Sequence, residues 1–358
     1  MILVGTRPEI IKVAPLIRVF ARRKMAFCLV HSGQHYDYAM SAKFFDDLEL
    51  PSPDFSLKTK MRTPVAQTAE VMTGFERIIG EVGPGLIIVQ GDTNTTLAGG
   101  LAAIKSGVPV AHVEAGLRSY DMRMQEEYNR IVVDHISEYL FAPTRMAKRT
   151  LLSENVWGRA YTVGNTAIDA CIQHATMAAR KSRILESLRF KRYALATLHR
   201  AENVDDPKSL AEITAALMEA PVPIVIPLHP RTAKRLKENG LWDKLSGHEN
   251  VQVLPPVGYL DFLTLMRSSD LIMSDSGGVV EEATSPPIRK RVLVLRLSTE
   301  RVEAVRAGFA TVVGTKKESV LRAVARVLRS GRKLPRTSPY GRGDTAERIA
   351  DILGSEMA

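Results

Sequence analysis

Short apolar runs of strand type alternate with stretches of helical spacing along almost the whole chain, and this pattern restricts the fold more than any other feature. A first series comprises Ile2–Val4, Phe27–His31, Leu86–Gln90, Val108–Val113, Tyr139–Ala142 and Ala160–Val163. A second comprises Tyr193–Leu198, Ile224–Leu228, Val251–Leu254, Leu271–Ser274, Arg291–Leu295 and Thr311–Val313. Intervals such as Leu210–Met218 and Val320–Leu328 repeat their apolar residues at the helical period. The alternation predicts an α/β chain with open parallel sheets covered by helices on both faces. At 358 residues the chain exceeds the usual size of a single core, so the two series predict two doubly wound, Rossmann-like domains, 1–164 and 165–344. Gly331–Gly343 reads as a loop. The amphipathic stretch Ala346–Leu353 has no strand after it and, within 345–358, is expected to cross back onto the first domain.

Open sheets of this kind bind ligands at the carboxyl ends of their strands. There the sequence places acidic side chains: Asp92 in Gln90-Gly91-Asp92-Thr93-Asn94-Thr95-Thr96 and Glu114 in His112-Val113-Glu114-Ala115-Gly116-Leu117-Arg118, with Glu126 following in Met124-Gln125-Glu126-Glu127-Tyr128-Asn129-Arg130. Neighbouring, partly buried carboxylates drive their pKa values apart and so suit proton transfer. Asp92 before threonines equally suits a helix cap, and Glu126 with Arg130 an i,i+4 ion pair.

Two helix starts suit anions. One is Gly5-Thr6-Arg7-Pro8-Glu9, with Pro8 in the first turn; the other is Asp275-Ser276-Gly277-Gly278, leading into a helix from near Val279. A plain left-handed turn explains the glycine pair as well. Glu281 and Glu282 suit ribose hydroxyls. Neither start is a Walker loop or a GxGxxG turn, so a nucleoside triphosphate or NAD is not indicated.

Composition narrows the partners. Lysine and arginine number 49 against 39 aspartate and glutamate, a net charge of +10. The basic residues are dispersed and lack aromatic interleaving, which favours a phosphorylated small molecule over nucleic acid. No apolar run reaches a membrane span, and a strand starting at Ile2 leaves no room for a leader, so a cytoplasmic protein is expected. Cys28 and Cys171 have no metal-type spacing, so neither a zinc site nor a disulfide framework is expected.

Taken in order, Gly5-Thr6-Arg7-Pro8-Glu9-Ile10-Ile11-Lys12, Gly91-Asp92-Thr93, His112-Val113-Glu114-Ala115-Gly116-Leu117-Arg118, Glu126-Glu127-Tyr128-Asn129-Arg130, Leu198-His199-Arg200-Ala201-Glu202-Asn203, His229-Pro230-Arg231, Asp275-Ser276-Gly277-Gly278 and Thr299-Glu300-Arg301 resemble the motif series of the non-hydrolysing UDP-N-acetylglucosamine 2-epimerases. The resemblance implies a glycosyltransferase-B-like fold with the active site in the interdomain cleft, a homodimer through the first domain, and no metal or redox cofactor. It implies interconversion of UDP-GlcNAc and UDP-ManNAc by elimination of UDP to 2-acetamidoglucal and re-addition.

Carried over by motif, the catalytic residues are Asp92, Glu114, Glu126 and His199. Asp92 and Glu126 are expected to serve opposite faces of C2, Glu114 to position or tune them, and His199 to stabilise the departing diphosphate. Arg7, Lys12, His229, Phe262, Ser276, Gly277, Gly278, Glu282 and Arg301 are expected to bind the nucleotide sugar. Of these, Ser276 to Gly278 would hold the diphosphate, Glu282 the ribose and the backbone near Phe262 the uracil.

The chain also departs from the pattern. Ser32-Gly33-Gln34-His35-Tyr36-Asp37 has Asp37 where substrate-activated bacterial members carry a second glutamine, so activation by UDP-GlcNAc is not carried over. Phrases such as Asp121-Met122-Arg123-Met124 resemble archaeal members and enzymes acting on UDP-2,3-diacetamido uronic acids, leaving the substituents at C3 and C6 open. A UDP-sugar glycosyltransferase of the same fold and a nucleotide-sugar-binding protein without turnover remain the other classes.

Overall fold

The computed structural model describes residues 1–33, 44–59, 63–331 and 333–357, so Gln34 to Asp37 lie outside the described residues. The chain divides into two compact units, Met1–Ala170 with Tyr340–Ala358, and Cys171–Pro339. The first contains β1 (Ile2–Val4), β2 (Leu29–His31), β3 (Phe55–Ser56), β4 (Ile87–Gln90), β5 (Val110–Val113), β6 (Tyr139–Ala142) and β7 (Arg159–Thr162). They form one parallel sheet in the order β3-β2-β1-β4-β5-β6-β7. Strand β3 has too few residues to show a period and was not expected from the sequence.

The second unit contains β8 (Ala194–Thr197), β9 (Ile224–Pro227), β10 (Val251–Leu254), β11 (Leu271–Ser274), β12 (Val292–Val294) and β13 (Ala310–Val312), parallel in the order β10-β9-β8-β11-β12-β13. In each sheet the order reverses once, between β1 and β4 and between β8 and β11. Chains leaving adjacent strands there turn to opposite faces, which opens a crevice at the carboxyl ends.

Burial of the strands on both faces explains their nearly continuous apolar runs. Leu3, Phe75, Ile87, Val89, Val110 and Val133 share one core, and Leu210, Ile213, Ile224, Leu271 and Met273 share the other. Each such side chain contributes roughly 1.5–3 kcal/mol by leaving water. Helix boundaries follow local chemistry: Thr63 Oγ1 accepts from the Ala66 N–H to cap Pro64–Val82, and Thr144 caps Arg145–Ser153 in the same way. The helix Thr345–Glu356 packs against Arg7–Arg22 in the first unit, burying Ile349 and Leu353, and Asp351 pairs with Arg23 at 2.5 Å. Among the described residues no helix is long and apolar enough to cross a membrane.

Candidate functional site

At the switch point of the first sheet the loops after β1 and β4 are bound together by Glu9. Its Oε2 accepts from the N–H groups of Gly5 and Thr6 at 3.1 and 2.6 Å, and its Oε1 accepts from Thr93 and Thr96 Oγ1 at 2.7 and 3.2 Å. Burial pushes this carboxyl above its ordinary range although those bonds oppose the rise. Gly5 has no substitute here: a Cβ would stand 2.2 Å from Thr95 Oγ1 and 2.4 Å from Ser32 Oγ. Arg7, exposed at the helix start, lies with its guanidinium 5.7 Å from the Phe44 ring centre.

Asp92 leaves β4 with its side chain 35% exposed and Oδ2 accepting from Arg130 Nη2 at 2.5 Å. Asn129 Nδ2 donates to its carbonyl at 2.9 Å. The helix cap is Thr93, whose Oγ1 accepts from Thr96 N–H, so capping does not occupy Asp92. Glu114, at the end of β5, has φ +75°, a left-handed backbone that is rare for a residue with a side chain and characteristic of functional positions. Its Oε2 takes Lys12 Nζ at 2.5 Å and Gln90 Nε2 at 2.7 Å. Glu126 is exposed in the first turn of Gln125–Ile136, and its side chain makes no hydrogen bond among the described residues. The alternative i,i+4 pairing of Glu126 with Arg130 is not formed: Arg130 instead bridges Asp92 and the buried Glu127, because its side chain turns inward to a carboxylate that also accepts from the Ser119 and Tyr120 N–H groups.

In the second unit His199 follows β8 and Asp275 follows β11, the two strands flanking the switch point. Asp275 is fully buried and accepts from the N–H groups of His199 and Arg200, from Asn203 Nδ2, and lies 3.0 Å from His199 Nδ1. Burial by itself would raise its pKa, but the His199 ring and these backbone donors outweigh it and hold the carboxyl below its ordinary value. The imidazole is 42% exposed, with Nδ1 turned to Asp275. His229 caps Pro230–Glu238, its Nδ1 accepting from Arg231 N–H at 3.2 Å, and its pKa is lowered by burial first and then by His199 and Arg231.

The glycine pair is not a left-handed turn: neither Gly277 nor Gly278 has positive φ, and the helix Gly277–Ala283 begins earlier than expected, capped by Ser276. Gly277 is set by close approach, since a Cβ would meet Glu300 Oε1 at 2.7 Å. Of the two glutamates after it, Glu281 is fully buried with its Oε1 2.6 Å from Arg301 Nε, which removes it from any role toward ribose. Glu282 is partly exposed and accepts from Tyr259 Oη at 3.0 Å; Phe262 lies on the same helix as Tyr259, half-buried. Arg301 is 7% exposed, between Glu281 and Glu300.

Each sheet therefore gathers sequence-predicted residues at its own switch point. In the first unit Lys12 pairs with Glu114, while Arg7 and Asp92 follow β1 and β4; in the second, His199 follows β8 and Ser276 and Gly277 follow β11. Reading the motifs did not single out Glu9, Gln90, Asn129, Asp275 or Glu300, although all stand inside the quoted motifs, and it gave Arg130 only as a helical partner of Glu126. Among the described residues no group of three or more His, Cys, Asp or Glu side chains is arranged to hold a metal ion.

Burial would raise Glu300 as well, but Arg301 and then Arg296 overcome it and hold its pKa at about 2. A depressed carboxylate stabilises the fold above its unfolded value of 4.5, and the gain is lost as pH falls through 2. Roughly 3 kcal/mol is involved. The gap in urea midpoint between wild type and Glu300→Gln should therefore be widest above pH 5 and shrink steadily at pH 4 and 3; a constant gap would contradict the pairing.

Comparison with known proteins extends these observations to the whole chain. The family model described as UDP-N-acetylglucosamine 2-epimerase matches residues 18–354. The chain is 42% identical to UDP-N-acetylglucosamine 2-epimerase of Methanocaldococcus jannaschii, covering 98% of each sequence. It is 38% identical, over 98% of each sequence, to UDP-2,3-diacetamido-2,3-dideoxy-D-glucuronate 2-epimerase of Pseudomonas aeruginosa. Its structure is similar to the crystal structure of the M. jannaschii enzyme in complex with UDP-GlcNAc and UDP, with a TM-score of 0.91 over 99% of both chains. With two Rossmann-like units and a family match over nearly its full length, the chain belongs to the UDP-N-acetylglucosamine 2-epimerase family.

Proposed function

We propose that the chain interconverts UDP-GlcNAc and UDP-ManNAc by eliminating and re-adding UDP. The observation that carries this reading is Asp92, a partly exposed carboxylate held by Arg130 at the first sheet's switch point. The C2 hydrogen of the substrate is not next to a carbonyl, so its removal as a proton is feasible only if the electron pair leaves C2 at once. In the proposed step a carboxylate takes that proton, the C2–H pair becomes a C1=C2 double bond, and the C1–O bond breaks to release UDP. A proton then reaches C2 from the opposite face while the diphosphate oxygen rebonds to C1.

Asp92 and Glu126 take the two faces, and Glu114, pinned by Lys12 and Gln90, sets the field around them. The second unit supplies His199, with Asp275 as counter-charge for its imidazolium, toward the developing diphosphate charge. His229 and the backbone at Ser276 to Gly278 add donors, and Glu282, steadied by Tyr259, accepts from ribose. Arg7 and Lys12 contribute positive charge from the first unit, and the backbone near Phe262 faces uracil. The relative acting on a diacetamido uronic acid supports a second substrate at the same site, differing at C3 and C6. On the same resemblance the protein is a cytoplasmic homodimer supplying polysaccharide synthesis.

Incubation in deuterated water without metal or NAD tests the reaction. UDP-GlcNAc should yield UDP-ManNAc with deuterium at C2, and prolonged incubation should release small, matched amounts of UDP and 2-acetamidoglucal. Transfer only when an acceptor is added would replace this reading with a glycosyltransferase, and unchanged ligand with a binding protein. Faster turnover of the diacetamido uronate would move the substrate assignment.

A further inference from the structure

His112 opens the motif that contains Glu114 but lies inside the first unit, fully buried at the end of β5. Both ring nitrogens meet acceptors: Nδ1 lies 2.7 Å from Asp134 Oδ1, and Nε2 lies 2.8 Å from the Gly91 carbonyl. A neutral imidazole has one N–H and one lone pair. Either tautomer would therefore set a lone pair against an oxygen at hydrogen-bond distance, a costly contact away from water. The remaining arrangement, a protonated Asp134 donating to Nδ1, is disfavoured by Asp134's other partners. Its Oδ2 takes Arg118 Nη1 at 2.7 Å and the Gly116 N–H at 3.1 Å, and both donors favour the carboxylate. Arg118 also binds Glu154 through Nε and Nη2 at 2.9 and 2.6 Å. With a neutral ring this network would hold two carboxylates against one guanidinium; with an imidazolium it balances.

We infer that His112 is a buried imidazolium and a positioning residue for Asp92, the second part resting on the epimerase reading. Gly91 immediately precedes Asp92 and is held on both sides: its N–H donates to the Val113 carbonyl at 3.0 Å, and its carbonyl, in the peptide joining it to Asp92, accepts from His112. Asn129 then fixes the next carbonyl, that of Asp92 itself. The direction in which Asp92 leaves the strand is thus set through two successive peptides, one of them by a charged donor. Asp134 serves the same end from the helix that carries Glu126, so both proposed proton-transfer groups are referred to one ion pair.

Nitrogen-15 NMR of protein labelled at histidine tests the charge directly at pH 7.5, with the His112 signals identified by their loss in His112→Gln. Both ring nitrogens should resonate as protonated; one in the unprotonated range would overturn the imidazolium. Kinetics test the positioning. His112→Gln, whose amide donates toward Gly91 but sets its oxygen against Asp134, should lose about 30-fold in kcat with KM changed less than about threefold, and C2 deuterium exchange should fall in parallel. Unchanged kcat in this folded variant would overturn the positioning role. Absence of C2 exchange in the wild type would instead remove the epimerase reading, and the NMR result would still decide the charge.

Discussion

Replacing Asp92 with asparagine is expected to lower kcat at least about 100-fold while UDP affinity stays within a few fold, as general acid–base groups contribute 10²–10⁴-fold. The substitution suits the site. Asparagine retains an oxygen for Arg130 and a backbone carbonyl for Asn129, so what it removes is the ability to take a proton. Glu126→Gln should behave alike, since that side chain has no structural partner among the described residues to lose. Thr93→Ala provides the contrast: it removes the helix cap and one hydrogen bond to Glu9, costs about 1–3 kcal/mol of stability and should spare more of the rate than Asp92→Asn. Steady-state rates beside UDP titration calorimetry read both quantities, and a near-normal rate in Asp92→Asn would remove it from the proton-transfer role.

Arg301→Ala is expected to destabilise the second unit by about 3–5 kcal/mol, the cost of leaving a buried carboxylate without its partner. Glu281, fully buried, would lose the guanidinium 2.6 Å away, and Glu300 would lose one of the cations that depress its pKa. The motif reading gave Arg301 a direct contact with the nucleotide. Its position beneath Gly277, with the guanidinium carbon 3.6 Å from where a Cβ would be, makes it first a support for the turn after β11. Weak UDP binding by this variant should accordingly accompany a lowered urea midpoint, and Glu281→Gln in the same chain should restore part of the stability. Loss of affinity with no change in midpoint would return Arg301 to the ligand.

The strands were legible in the sequence because residues such as Ile87 to Gln90 and Leu271 to Ser274 are buried on both faces, which leaves an unbroken apolar run between loops. Only Phe55–Ser56 escaped, its two residues forming no pattern. Strand ends were equally legible as the place for acidic and histidine residues, since parallel topology puts every carboxyl end on one edge. What the sequence could not convey was partnership. Glu126 and Glu127 are neighbours of identical composition, yet one faces solvent and the other is buried against Arg130 and two backbone donors. Glu281 and Glu282 divide in the same way. Helical spacing offered Arg130 the exposed Glu126 four residues back, while the fold gave it the buried Glu127 three residues back together with Asp92 after β4.

The first unit is interrupted: its chain departs after Ala170 and resumes at Tyr340, whereas Cys171–Pro339 is a single uninterrupted stretch. A ribosome therefore finishes the second unit while the first still lacks Thr345–Glu356, the helix that covers Arg7–Arg22 and pairs Arg23 with Asp351. Domains made first usually complete themselves first during synthesis. Here that order is inverted, because a helix made before the second unit must wait for one made after it. The sheet edge that carries Asp92 and Glu114 belongs to the part that waits, so these carboxylates gain their final support only after the second unit has been made.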